Sequence, residues 1–365
     1  MAGLEFWRVG QTTPRAIAAD AAQLERSGWD GMVIADSQCV IGDPYVALAL
    51  AAQATSTIQI GVGVTNPVTR HPAVTAAAIA GIQELSHGRA LLGIGRGDSS
   101  LAHIGLAPAA PEVFERYVTN VQTYLSGEGV AFEDLDRAGH RPSTELPGAG
   151  IPEQSRLLWL RPDVPKVPMD IAASGPRIIG IAARHADRIT FGVGADHERL
   201  AWAIGTARKA RAEAGLDPDS VGLGAYVNVV AHPDEEVALS LAATGVSMFS
   251  RFSILHGRTS GPVAAGTKLV LEKVSSSYDL REHGSGDARH RDSVDPGYIT
   301  SFGIVGTPAQ CADRLARLRD LGLDRVMILG GFAGATGQAQ ADLKTSREVL
   351  AAEVFPAVRG KLRAS

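Results

Sequence analysis

The sequence predicts an α/β protein, a (β/α)8 TIM barrel, on three observations. Apolar runs of strand length recur near residues 4, 32, 60, 91, 170, 189, 226 and 327, and helix-period patterns lie between them. The alternation is regular, with three strand–helix units inside the first ninety residues, which favours a parallel sheet. Eight such units in a chain of 365 residues fit a closed barrel. The competing arrangement is an open doubly wound sheet, but its dinucleotide-binding version needs a Gly-x-Gly-x-x-Gly after the first strand, and none is there. We read the chain as a single domain, residues 1–365. It carries one insertion after strand 4, at about 126–165, and one after strand 7, at about 259–300.

The first strand is expected at residues 3–9, with Glu5 among apolar neighbours. A helix over about 14–27 follows, with Pro14 suited to a first turn and Ala18, Ala21, Ala22 and Leu24 forming a close-packing face. Gly28, Trp29, Asp30 and Gly31 then turn the chain into MVIAD, a buried strand ending at Asp36. Asp43 and Pro44 open a helix over 45–54. Ile58, Ile60, Val62 and Val64 alternate along the third strand, with Gly61 and Gly63 suited to close packing. The turn TNPVTRHP follows, then a helix with Val74, Ala78, Ile82 and Leu85 on one face. The next strand, ALLGIG, runs out into Arg96, Gly97 and Asp98. A strand, a crossover helix and a parallel strand bring Thr65, Asn66 and residues 96–98 out at one end of the sheet, where such folds bind ligands.

Beyond Asp98 a helix is expected at about 112–125, then the irregular residues 126–165, long enough to be a functional loop. MDIAAS, DRITFGV and VGLGAYVNVVA read as strands, separated by helices over 176–185 and 200–214 and followed by one starting near Pro233. Residues 259–300 are again irregular, GSGDARHRDSVDPG being the most polar part. IVGTPAQCADRLARLRDLGLDRVMILGG reads as a helix start, a helix and a strand, with Thr307 as N-cap and Pro308 at the first helical position. A last helix covers about 339–352.

Composition narrows the function. Hydrophobic residues at 45% allow a sizeable core, and a net charge of -4 gives no concentrated basic face for nucleic acid. No run of about 18 apolar residues suggests a membrane span. The start MAGLEFWRVG lacks the pattern of a signal peptide. Cys39 and Cys311 have neither metal-ligand spacing nor the numbers for a disulfide framework. A cytoplasmic enzyme or binding protein for a small molecule is the expectation, with no metal.

In a barrel, chemistry sits at the strand ends. These bring Glu5 to Arg8, Asp36 and Ser37, residues 64–66, residues 96–98, Ser174 and Gly175, residues 192–196, Asn228, and Gly330 with Gly331. Glu5 suits a proton donor, or else an ion pair with an arginine such as Arg8. Asp36 and Asp98 suit either ligand binding or the capping of a following helix. The turn of Ser174, Gly175, Pro176, Arg177 and Ile178 opens a helix, and its free N–H groups make an anion site to which Arg177 adds charge. P-loop, His-Glu-x-x-His and Gly-x-Ser-x-Gly motifs are absent. His71, His87 and His185 lie at helix edges and read as structural.

Three stretches together carry a family resemblance: GVGVTNPVTRHPAVTAAAIAGIQELSHGRALLGIGRGD, IAASGPRIIGIAARHADRI and VGTPAQCADRLARLRDLGLDRVMI. With them the chain resembles the bacterial luciferase-like flavin and deazaflavin oxidoreductases, especially the subgroup like the F420-dependent methylenetetrahydromethanopterin reductases. The resemblance implies a barrel that binds coenzyme F420, or alternatively FMN. It implies a non-proline cis peptide bond at Gly63–Val64 behind the ring. By position, Asp36 and Asn66 would hydrogen-bond the coenzyme, Arg96 and Gly97 would line its pocket, and Ser174, Gly175, Arg177 and Ile178 would hold its phosphate. Asp98 matches an acid near the reacting carbon, and Glu5 matches a first-strand glutamate that donates a proton. Many relatives carry histidine where this chain has Ser37, which argues against oxidation of a sugar hydroxyl by that route.

The implied function is hydride transfer between F420 and a small organic substrate over the ring. One alternative is a two-component monooxygenase using FMN from a flavin reductase partner. The other is a non-catalytic flavin-binding member. A homodimer or higher homo-oligomer is expected.

Overall fold

The computed structural model describes residues 3–10, 13–136, 141–145, 150–254, 258–282, 288–330 and 336–360. Strands β1 (Glu5–Gly10), β2 (Gly31–Ile34), β3 (Gln59–Thr65), β4 (Ala90–Ile94), β5 (Met169–Ala173), β6 (Arg188–Phe191) and β7 (Gly222–Ala231) pair in chain order, all parallel. β8 (Ile304–Gly306) lies against the far end of β7, outside the ring. β9 (Arg325–Leu329) pairs with both β7 and β1 and closes an eight-stranded barrel. All eight expected strands are present. The three-residue β8 falls in a stretch that reads as the lead-in to a helix, because three residues carry no period.

The helices are α1 (Ile17–Arg26), α2 (Pro44–Ala54), α3 (Pro72–Leu85), the short α4 (Ser99–Ala102), α5 (Pro111–Leu125), α6 (Pro176–His185), α7 (His197–Glu213), α8 (Glu235–Ser250), α9 (Ala265–Ser277), α10 (Pro296–Phe302), α11 (Pro308–Asp320) and α12 (Gly337–Val349). A π-turn at Leu350–Val354 continues α12 into α13 (Phe355–Gly360). Their starts follow local chemistry. Asp43 accepts from the backbone N–H groups of Tyr45 and Val46, and Thr307 with Gln310 forms a reciprocal capping box, each with proline in the first turn. The second insertion is more regular than its sequence: α9 and α10 lie in it. In α9 only Leu271 and Val274 are buried, too few for a visible period.

That insertion also begins earlier than expected. Ala238, Ala242 and Val246 of α8 join Leu271 of α9, Tyr298, Ile299 and Phe302 of α10, and Val230 and Val305 in a small core of their own. The helix that packs into the main core before β9 is α11, through Cys311, Leu315 and Leu318. The chain leaves the barrel after β7, builds this satellite over residues 232–303, and returns.

Alternation along the strands sorts side chains into two cores. Phe6 points outward and stacks on Phe355 of α13 at 4.1 Å. Trp7 points inward with Val33, Leu91 and Met327. Room for the indole comes from Gly31, where a Cβ would lie 2.2 Å from it. Below this layer the barrel interior is polar. Arg325, fully buried, donates to Asp170 at 3.3 Å, and Thr190 donates to both oxygens of Asp170 at 2.9 and 2.7 Å.

Glu25 of α1 fastens the loop ahead of β3. Its Oε1 accepts the N–H groups of Ser56, Thr57 and Ile58 and the Thr57 hydroxyl, at 2.6–3.0 Å. Burial opposes its charge, but these bonds outweigh it and hold the carboxyl at about 2. A depressed acid stabilises the fold above its unfolded pKa, about 4.3, and the contribution fades as pH falls toward 2. Glu25→Gln should therefore cost about 1 kcal/mol at pH 7, screening included. Denaturant titrations should show wild type and variant converging between roughly pH 4.5 and 2.

Candidate active site

A cavity of about 640 Å³ opens at the carboxyl ends of the barrel strands. Its wall includes Val9 and Gly10, residues 35–37, 63–65, 95–98 and 172–175, and Gly192. Tyr226 of β7 adds an aromatic ring, and Met248 and Phe249 of α8, with Phe252 just beyond, form an apolar side. The strand tops are kept bare by steric necessity. A Cβ on Gly63 would lie 2.5 Å from Val33, and one on Gly192 would lie 2.7 Å from the Ser174 hydroxyl. The Gly63–Val64 peptide bond is cis, at the expected position, where the β3–β4 register shifts between Val62 and Thr65.

On one side stands Asp36, only 2% exposed. It accepts from Thr65 Oγ1 at 2.7 Å and Gln38 Nε2 at 2.6 Å, and it pairs with Arg70. Burial raises the Asp36 pKa, and the Thr65 hydrogen bond and Arg70 offset this in part. Burial equally opposes the charge on Arg70, but there the attraction of Asp36 prevails and the guanidinium is held above its usual value. Arg70 also bonds Asp43 at 2.8 Å, lies over the Tyr45 ring at 4.9 Å, and is braced by Tyr117, whose hydroxyl donates to its carbonyl.

Asp98, at the exit from β4, does not cap the helix that follows it. Its Oδ1 accepts from Arg251, just past α8, at 2.5 Å. Its Oδ2 is buried without a hydrogen-bond partner among the described residues, and so is Nη1 of Arg251. The guanidinium is also held 4.7 Å above the ring of Tyr278. The second insertion thus fixes the orientation of Asp98 and leaves one of its oxygens without a hydrogen-bond partner among the described residues.

Opposite lies the start of α6. Gly175 is its N-cap, no side chain caps it, and Pro176 occupies the first turn. Ser174 donates to the Gly192 carbonyl at 3.2 Å. Arg177 pairs with Glu112, and Arg96 donates to the Ala109 carbonyl at 2.6 Å. Burial lowers the Arg96 pKa, and repulsion from Arg177 lowers it further, so two guanidinium groups flank one helix start. Free N–H groups, the helix dipole and two cations favour an anion there.

The structure gathers Asp36, Gly63, Val64, Arg96, Gly97, Asp98, Ser174, Gly175, Arg177 and Ile178 around this cavity. Asn66 is buried beside it. Its Oδ1 accepts from the N–H groups of Val68 and Thr69 at 3.0 Å, and its Nδ2 has no partner among the described residues. Asn228 is buried, and its Oδ1 has no hydrogen-bond partner among the described residues. Gly331 lies outside the described residues.

Glu5 requires a correction. It is the first residue of β1, level with Arg325 at the amino end of the barrel. There it accepts from Trp7 Nε1 at 2.8 Å and lies 3.9 Å from Arg188. The strand runs on to Gly10, so its ligand end is Val9 and Gly10, and Glu5 serves the barrel floor as a structural acid. Its partner is Arg188 rather than the adjacent Arg8, whose side chain leaves by the opposite face of the strand. His71 accepts the Ala73 N–H as the cap of α3, and His185 pairs with Glu115, both structural as expected.

Sequence reasoning missed Arg70, Arg251 and the aromatic wall. Arg70 stands in plain view inside TNPVTRHP. Arg251 meets an acid 153 positions away, and no local pattern announces such a contact.

A closed parallel barrel with a cavity at the carboxyl ends of its strands defines a class, the TIM-barrel proteins. The family model for luciferase-like monooxygenases matches residues 4–325, and the chain belongs to that family. It is 27% identical over 336 residues to the 5,10-methylenetetrahydromethanopterin reductase of Methanolobus tindarius, covering 89% of this chain and 92% of the relative. It is 28% identical over 301 residues to a phthiodiolone/phenolphthiodiolone dimycocerosates ketoreductase of Mycobacterium kansasii, covering 79% and 77%. Among solved structures, the coenzyme F420-dependent tetrahydromethanopterin reductase from Methanopyrus kandleri superposes with a TM-score of 0.71 at 22% identity, over 98% of this chain and 99% of that one. An F420-dependent secondary alcohol dehydrogenase carrying an F420–acetone adduct follows at 0.70 and 18%, over 98% and 100%.

Arg70→Met should leave Asp36 buried without its cation and destabilise the protein by about 3–5 kcal/mol at pH 7. The deficit should shrink as pH falls and Asp36 takes up a proton, and adding Asp36→Asn should recover much of it. Urea melts at two pH values check both.

Proposed function

We propose that the protein is an oxidoreductase that transfers a hydride between coenzyme F420 and a small organic substrate lying over the coenzyme ring. One observation carries this reading: a cavity with bare glycine strand tops leads to an uncapped helix start flanked by Arg96 and Arg177. That is a flat surface joined to an anion site, the two requirements of a tricyclic ring on a phosphate-bearing side chain. The M. kandleri reductase, named as F420-dependent, and the M. tindarius reductase support it through the fold and the sequence.

In this reading Gly63 and Val64 back the ring. Asp36, held by Arg70, and Asn66, through its free Nδ2, present hydrogen-bonding groups at the rim, where Arg96 and Gly97 line the same pocket. Ser174, Gly175, Arg177 and Ile178 take the phosphate, mainly through main-chain N–H groups. The coenzyme, when bound, supplies the hydride chemistry. The chain supplies position and a proton route. We assign proton exchange with the substrate to Asp98 at Oδ2, the buried oxygen that Arg251 leaves without a hydrogen bond.

Fluorescence titration with oxidised F420 and with FMN tests the reading. A saturable response to F420 with none to FMN is expected. Tight FMN binding with no deazaflavin response would replace it with the two-component monooxygenase reading, which solved relatives such as the FMN complex of 3,6-diketocamphane monooxygenase keep open. Asp98→Asn should slow turnover by roughly 10²–10⁴-fold while coenzyme affinity changes little. Loss of affinity instead would make Asp98 a binding group.

We also propose a homodimer, with Val46 and Leu50, one helical turn apart on α2, and Val74 at the start of α3 (55%, 42% and 54% exposed) in the face that a second copy would cover. Sedimentation velocity should give a dimer, and Leu50→Glu a monomer. A cytoplasmic setting suits the free thiols of Cys39 and Cys311, and no helix among the described residues is long and apolar enough to cross a membrane.

A further inference from the structure

The cavity has an arm that the proposed function does not use. Beside Val9 and Gly10 it passes to the outer side of β1, where Arg8 meets Arg347 of α12. Arg8 leaves β1 on the face of Phe6, away from the barrel interior, in register with Ile328 of β9. Trp29, Leu343 and Leu350 make the rest of the arm mostly apolar, and Ser346 stands next to Arg347 in the wall. Both arginines are half-buried. Among the described residues neither makes a hydrogen bond or an ion pair.

Such a pair is unusual. Arginines taken out of water are normally paired with carboxylates or bonded to carbonyls. In this protein Arg89, Arg199, Arg211 and Arg314 are each tied to backbone oxygens. Arg8 is instead disfavoured as a cation, by burial and then by Arg347, whose repulsion exceeds the attraction of Asp20 on α1. Two like charges facing one cleft, with no carboxylate in ion-pair contact among the described residues, describe a site built for an anion that arrives from outside.

We infer that the outer arm is an oxyanion site in which Arg8 and Arg347 together clasp one carboxylate or phosphate group. It is distinct from the helix start at Ser174 to Ile178, which lies across the barrel mouth on β5. Because the arm is continuous with the main cavity, the group it holds is the anionic end of the organic substrate. That last step rests on the proposed function; the site itself does not.

The test is binding of inorganic phosphate and of succinate to the coenzyme-free protein, followed by calorimetry and by the shift in Tm at constant ionic strength. Wild type should show a saturable shift with at least one ion, and which one decides between phosphate and carboxylate. Because the start of α6 can also take phosphate, the readout is a binding event assigned to the arm. Arg8→Met and Arg347→Gln should each weaken one such event at least tenfold, while Arg177→Gln leaves that event in place. Without added ion both Arg8→Met and Arg347→Gln should melt no lower than wild type, because each removes one member of a repelling pair. This control separates loss of the site from loss of the fold.

The inference is overturned if no ion gives a saturable shift, if no binding event is weakened by either arm substitution, or if the only event lost is the one that Arg177→Gln removes. It also fails if both arm variants melt well below wild type in the absence of ion, since the pair would then be satisfied within the protein. No coenzyme enters these titrations, so their failure leaves the F420 reading standing, and a failed F420 titration leaves this site standing.

Discussion

The buried ion pair between Arg325 and Asp170 decides what the barrel interior becomes. It ties β9 to β5 across the amino end of the barrel, and Thr190 of β6 holds the carboxylate from the side. A charge pair removed from water is tolerated only when its remaining groups find partners, and breaking one typically costs 3–5 kcal/mol. Gly222 and Gly224 of β7 make room for the long side chain, whose Nε has no hydrogen-bond partner among the described residues. With polar groups below and Trp7 and Tyr226 above, the lower barrel is full. Above it, glycines at the strand tops such as Gly63 and Gly192 leave the space of the cavity. The cavity follows from how the interior is filled, layer by layer.

At the mouth, charges are placed by partners from distant segments. Arg70 comes to Asp36 from the β3–α3 loop, and Arg251 comes to Asp98 from the satellite insertion. The two acids of the pocket are therefore fixed acceptors, and a side chain fixed before the ligand arrives costs less to order on binding. The barrel supplies the backbone floor and the insertion supplies orientation. Members of one family can thus keep the floor and change the chemistry.

The fold was legible because its signals are local. Buried parallel strands are short apolar runs, and capping residues such as Asp43 and Thr307 mark where helices begin. The proposed anion site was legible for the same reason, since Ser174 to Ile178 is one continuous turn. Glu5 misled because residue type was read without the strand's direction: a one-strand error in which end faces the ligand moves a side chain to the opposite pole. Arg251 and the α8 aromatics were invisible because the insertion that carries them leaves the barrel at residue 232 and folds back, a path that no periodicity encodes. Position by family likeness located Gly63–Val64; its steric reason, Val33 against Gly63, needed the folded barrel.

The central claim is that the bare strand tops and the start of α6 hold two parts of one ligand. A crystal structure of the protein soaked with oxidised F420 tests this directly. The account predicts the ring against Gly63–Val64 with its phosphate on the N–H groups that follow Gly175. A ring bound elsewhere, or a phosphate away from α6, would contradict it.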